Sequence, residues 1–109
     1  MKAIKYLYDI MAATEAIEDF MVDIKNFKDY ALDEKTQSAV ERKLIIIGEA
    51  INKLSKLDDS PLISKTPDIV AFRNILVHAY DQISDRMVWA ILQKELPDLR
   101  KEIDKLIKN

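Results

Sequence analysis

Cysteine is absent from this 109-residue chain, and histidine and glycine occur once each. Without thiols there is no disulfide, no thiolate metal site and no cysteine nucleophile, and nothing speaks for an oxidising compartment. The single histidine, His78, leaves a one-chain zinc site poorly supplied and gives one chain no histidine pair for acid–base work. The single glycine, Gly48, excludes the glycine-rich loops that cradle phosphates. Long apolar runs are missing too. The opening stretch MKAIKYLYDIMAATEAIEDF is interrupted by Asp9, Glu15, Glu18 and Asp19, which breaks any signal-peptide core or membrane span, so a cytoplasmic protein with no membrane contact is expected. Nor is positive charge in excess: 17 Lys and Arg stand against 19 Asp and Glu, a net charge of -2, and neither half forms a basic arm. Permanent, non-specific nucleic-acid binding draws on concentrated positive charge and is not expected here, whereas a transient nucleic-acid substrate remains open.

What is present is a chain 49% hydrophobic and 33% charged, long enough to bury a core unaided, and one domain spanning residues 1–109 is expected. Abundant Ala, Leu, Ile, Glu and Lys at helical spacing predict an all-α antiparallel bundle of four to five helices. The first segment runs from about Lys2 to Phe27 on the stripe Ile10, Ile17, Met21 and Ile24. The second runs from near Asp33 to about Leu57 on Val40, Leu44, Ile47, Ile51 and Leu54, forming a hairpin with the first. After the turn-rich stretch Asp58 to Lys65, Thr66 reads as an N-cap with Pro67 behind it, opening a third helix to about Tyr80. Ser84 caps a fourth through Val88, Ile91 and Leu92, and Pro97 opens or kinks a fifth on Leu99, Ile103 and Leu106. Gly48 falls inside the second helix, where it costs about 1 kcal/mol relative to alanine and points to the close approach of another helix. Glu49 beside it reads equally as a solvated residue or a polar neighbour of the third helix.

The third helix differs from the rest. Residues 69 to 80, IVAFRNILVHAY, carry one charged residue, Arg73. Ile69, Phe72, Ile75, Leu76 and Ala79 form a core-facing stripe. The opposite arc holds Tyr80, Arg73, Val77, Val70, Asn74 and His78, where Lys and Glu would ordinarily face solvent. That second face therefore expects a cover, most simply a second copy of the same helix in a two-fold homodimer that dimerises through it. Two copies turn one histidine per chain into two per site. One imidazole would take a proton from an attacking 2'-hydroxyl, the other would give one to the leaving 5'-oxygen, and Arg73 would stabilise the charge on phosphorus, with no metal or other cofactor required. Each residue has a plainer alternative. His78 alone on a covered helix is ordinarily a hydrogen-bonded structural residue. Asn74, four residues earlier, would orient or satisfy it. Arg73 would pair with Asp68 or Asp81, and Tyr80, seven residues from Arg73, would pack with its hydroxyl in water.

The segment Arg73-Asn74-Ile75-Leu76-Val77-His78-Ala79-Tyr80 resembles the R-x4-H-x-Y signature, with Asn after the Arg, of the HepT-like proteins of the HEPN superfamily. The Leu7-Tyr8-Asp9-Ile10 opening, Lys35-Thr36-Gln37, Ile46-Ile47-Gly48-Glu49-Ala50, Val88-Trp89 and Leu96-Pro97-Asp98-Leu99 are similar to the same family, so the likeness covers nearly the whole chain. The loop before Thr66 departs from it by lacking the family's aromatic residue. The resemblance implies a helical bundle dimerising so that two motifs line one cleft, and metal-independent endoribonuclease activity as the toxin of a toxin–antitoxin pair, with Arg73 and His78 catalytic, Asn74 supporting and RNA as a transient substrate. It also implies a small nucleotidyltransferase antitoxin of the MNT type that transfers AMP to Tyr80. Two other readings stay open: a non-catalytic helical module that binds a nucleotide or docks the transferase, and a purely structural polar seam.

Overall fold

The computed structural model describes residues 2–61 and 63–108, all of them in helices or the turns between them. Helix α1 spans Lys2–Phe20, a short α2 spans Phe27–Ala31, and α3 spans Glu34–Ser55. Helix α4 spans Thr66–His78, and a 3₁₀ turn at Tyr80–Gln82 leads into α5, Asp85–Ala90. A π-helical segment, Ile91–Glu95, carries α5 without a break into α6, Leu96–Lys108. The expected all-α bundle is the observed fold, and among the described residues there is no strand.

The hairpin of α1 and α3 is the frame. Val40, Leu44, Ile47, Ile51 and Leu54 are all buried, as the stripe predicts, against Ala3, Leu7, Ile10, Ala13 and Ile17 of α1. Helix α6 closes α1 with Leu96, Leu99 and Ile103, and Val88 and Tyr30 fill the end nearer α2 and α5. The first segment stops earlier than its periodicity suggests. The chain turns at 21–23, and Asn26 caps α2 by accepting from the Asp29 N–H. Met21 and Ile24 therefore sit in the connection, only partly buried.

The caps explain most boundaries. Asp33 accepts from the Thr36 N–H and hydroxyl to open α3, and Ser84 accepts from the Met87 N–H to open α5. Thr66 does not cap α4, because its hydroxyl donates back to the Ile63 carbonyl, and the boundary residue is Lys65 in the left-handed region (φ 60°). Leu62, within the preceding turn-rich stretch, lies outside the described residues. Pro97 neither starts a separate helix nor breaks the run: it lacks an N–H, and the π turn ahead of it absorbs the missing bond. No helix among the described residues is long and apolar enough to cross a membrane.

The Asp33 cap gives a pH prediction. The Thr36 backbone N–H first, then its hydroxyl, hold the Asp33 carboxyl below its ordinary value. A depressed folded-state pKa contributes stability above the unfolded value that is lost as pH falls through the folded one. Asp33→Asn keeps a capping oxygen but removes the titration, so its thermal midpoint should decline less steeply than wild type on acidification, as followed by circular dichroism.

Candidate active site

The motif helix lies on α3, and Gly48 decides how. A Cβ built on Gly48 would stand 2.7 Å from Arg73 Cγ and closer still to its Cβ. The stem of Arg73 thus occupies the space an alanine would need, and the close approach expected at Gly48 is made by the motif arginine itself. The packed side of α4 runs between Arg73 and Leu76, its one fully buried residue. This corrects the helical-wheel reading, which centres Arg73 on the open arc. The glycine opposite lets a long side chain in at a position that periodicity gives to the outside. Ile69, Phe72, Ile75 and Ala79 are only partly buried, and Ile69 and Phe72 line a cleft of about 750 Å³ with Leu44, Ile47, Leu96 and Leu99.

Arg73 is anchored by its stem and tied at its tip. Nη1 donates to the Asn74 Oδ1, while Nε is buried with no acceptor among the described residues. Neither Asp68 nor Asp81 forms an ion pair with it. Asn74 therefore serves Arg73 rather than His78.

His78 is the last residue of α4, exposed, and no hydrogen bond among the described residues reaches its ring. It lies five positions after Arg73, about 7.5 Å along the helix and roughly 140° around it. One chain does not join the two: neither side chain bonds to the other. His78 shares its side of the helix with exposed Ala71 and Asn74, and with Val77, 45% exposed. That side lacks Lys and Glu, and all four of these residues are exposed.

Tyr80 is not on the helix. Ala79 leaves the helical region (φ -139°, ψ 47°), because five residues after α4 must turn the chain to the extended Ser84 cap. The expectation that the third helix carries Tyr80 on one arc with Arg73 therefore fails. Tyr80 is 58% exposed. Interaction with the Glu41 carboxylate of α3, more than its own slight burial, holds the Tyr80 phenol above its ordinary value. Glu41 and Gly48 are seven residues apart and share one line of α3, about 10 Å along its axis. Arg73 of α4 thus lies over Gly48 of α3.

Glu41 escapes the sequence reading, although a signal existed: it shares its helix face with Leu44, Gly48 and Ile51, so a carboxylate sits on a core stripe. It is 8% exposed. Tyr30 of α2 is buried beside this group, its hydroxyl without a partner among the described residues. Burial, then the charges of Glu41 and Asp85, keep the Tyr30 phenol far above its ordinary range. Trp89 packs on Tyr30 at 5.9 Å between ring centres and on Phe27 at 6.1 Å.

The model of the "Ribonuclease HepT-like" family matches residues 10–106, a span that takes in every element around Arg73, His78 and Tyr80. The chain belongs to the HepT-like ribonuclease family. Over 105 residues it is 38% identical to the protein named "Probable ribonuclease HepT" of Thermococcus cleftensis, covering 94% of each chain. It is 35% identical over 109 residues to a protein of Methanocaldococcus jannaschii named as a "Putative RNase", covering 95% of this chain and 86% of that one. No solved structure matches it. Within this HepT-like chain, the motif divides into an arginine seated in a glycine notch, an exposed histidine and an exposed tyrosine beyond the end of the helix.

Proposed function

We propose that this HepT-like protein is a metal-independent endoribonuclease of the cytoplasm, the toxin of a type VII toxin–antitoxin pair. RNA is cut at a composite site on a two-fold homodimer, to which each copy brings Arg73 and His78. One observation carries this reading: His78 stands exposed on a side of α4 that nothing among the described residues covers, apart from the anchored Arg73. A second copy laid on that side supplies the second imidazole that acid–base cleavage uses.

In the two-fold cleft, one His78 takes the proton of the attacking 2'-hydroxyl, whose oxygen bonds to phosphorus. The 5'-oxygen leaves with a proton from the other His78, giving 2',3'-cyclic phosphate and 5'-hydroxyl ends. Arg73, tied to Asn74, stabilises the charge gathering on the phosphoryl oxygens. An MNT-type nucleotidyltransferase antitoxin silences the site by adenylylating Tyr80. The added phosphate and base would bring bulk and negative charge to the end of the motif helix and compete with RNA for the arginine.

Purified protein should cleave RNA in the presence of a chelator and leave those ends. Tight complexes with the transferase but no cleavage at any concentration would favour the docking-module reading instead. Val77→Asp places a charge at the edge of the uncovered side, on a residue 45% exposed. Analytical ultracentrifugation should find it monomeric and correspondingly inactive, and an active Val77→Asp monomer would contradict the shared site.

A further inference from the structure

Helix α4 is thinly packed on a second side as well. It rests on α3 between Arg73 and Leu76, and Ile69, Phe72 and Ile75, which periodicity assigns to the core, stay only partly buried. Beside it lies the cleft of about 750 Å³, with walls from Ile69 and Phe72 of α4, Leu44 and Ile47 of α3, and Leu96 and Leu99 of α6. Protein interiors are close-packed, and an apolar void far larger than a water molecule is unusual within one domain. The loop entering α4 is fastened across to α6: Ile63 is buried, and the Ser64 N–H and hydroxyl both donate to the Glu102 carboxylate at 2.9 Å.

The cleft is continuous with the His78 side of α4. Phe72 lies roughly 120° around the helix from His78, and Ile75 lies between them, about 60° from each. That side alone is a small interface. A stable pair buries about 800 Å² per partner over about 20–30 residues, whereas the exposed residues sharing the side with His78 are Ala71, Asn74 and Val77. Only Val77 among them is large and apolar, and homodimer interfaces have an apolar core with a polar rim. The cleft has both. Its rim carries Lys65 and Asp68 on the α4 side and Asp98, Lys101 and Lys105 on the α6 side, all exposed and none in an ion pair among the described residues. A two-fold partner presents the same charges, so a rim of one sign would repel its own copy, whereas a rim of mixed sign pairs with it.

We propose that the cleft between α4 and α6 is the second half of the interface with another copy of this chain, which fills it while laying its own motif helix beside His78. This rests on the reading that the protein is a two-fold homodimer built on α4. Affinity then comes from the apolar cleft, and the polar residues next to it, Arg73, Asn74 and His78, are left to meet RNA rather than to hold the pair together.

The test uses the absence of cysteine, because a single introduced thiol reports only on its own surroundings. Lys101→Cys reports on the cleft, Ala71→Cys on the His78 side, and Lys53→Cys on an exposed position of α3 outside both. Each whole protein is alkylated with N-ethylmaleimide below and above its dimer dissociation constant, which analytical ultracentrifugation fixes for each variant. At about ten times that constant roughly a fifth of the chains remain monomeric, so Lys101→Cys and Ala71→Cys should react about fivefold more slowly than when dilute. Lys53→Cys should react alike at both concentrations, and adding Val77→Asp should release the two protected thiols together. A dimer that protects Ala71→Cys but leaves Lys101→Cys as reactive as when dilute overturns the role of the cleft and leaves the shared site standing. Protection of Lys101→Cys that is the same at every concentration means that α4 closes on α6 within one chain, and it also overturns the proposal. Protection that appears only when an MNT-type nucleotidyltransferase is added gives the cleft to that partner and overturns it too. Wild type that stays monomeric at every concentration overturns the homodimer reading and this proposal with it.

Discussion

His78→Ala is expected to lower RNA cleavage by about 100- to 10,000-fold while leaving the fold intact. The separation follows from where the side chain stands. His78 ends α4, is exposed and receives no hydrogen bond within the described chain, so truncation opens no cavity and orphans no partner. Surface changes of that kind ordinarily alter stability by about 0.5 kcal/mol or less. A structural histidine would give the reverse pattern, with a large loss of thermal midpoint or of dimer affinity and no activity to lose. The measurement is initial-rate cleavage of a fluorescent RNA alongside thermal melting. Full activity in a well-folded His78→Ala protein would remove the acid–base pair from the mechanism.

Gly48→Ala is the second large effect, and here two physical effects oppose each other. Alanine in a helix interior is favoured over glycine by about 1 kcal/mol, so propensity alone predicts a more stable protein. The added Cβ, however, would stand 2.7 Å from Arg73 Cγ and nearer still to its Cβ, which belongs to the neighbouring helix and moves only if α4 moves. Overpacking of this sort costs about 1–3 kcal/mol, which equals or exceeds the propensity gain. The expected balance is a modest fall in thermal midpoint. Activity should suffer more than stability: displacement of a catalytic group by about 1 Å can cost on the order of 100-fold, and the clash acts on the arginine that receives the phosphate charge. Cleavage reduced by about 10- to 100-fold with most of the fold retained is therefore predicted. A Gly48→Ala protein that is both more stable and fully active would show that Gly48 is no seat for Arg73.

Much of this was readable from the chain alone where the physics is local. The α3 stripe from Val40 to Leu54 follows from periodicity, and the Ser84 cap of α5 from a side chain three residues from the N–H it accepts. Proline at 97 announced a disturbed helix, though not that a π turn would absorb it. Gly48 announced a close approach, but the identity of the approaching residue is a tertiary fact, fixed by a partner 25 positions away. For the same reason the wheel placed Arg73 on the open side. Tyr80 was misplaced by extending 100° per residue through Ala79, where the chain leaves the helix to reach the next cap. Glu41 was visible as a carboxylate on an apolar stripe, yet its burial depends on the elements packed over it. The pattern is consistent: the motif's residue types and order were legible, and their directions were not, because glycine notches and helix ends are set by packing between elements.

The central claim is that one cleavage site draws a histidine from each of two copies. Refolding wild type together with increasing fractions of His78→Ala chain, and measuring cleavage at constant total protein, tests it most directly. If both histidines are needed, only wild-type pairs are active, and activity falls as the square of the wild-type fraction, to about one quarter at equal mixing. A fall in simple proportion, to about one half at equal mixing, would mean that each chain cleaves with its own histidine and would contradict the shared site.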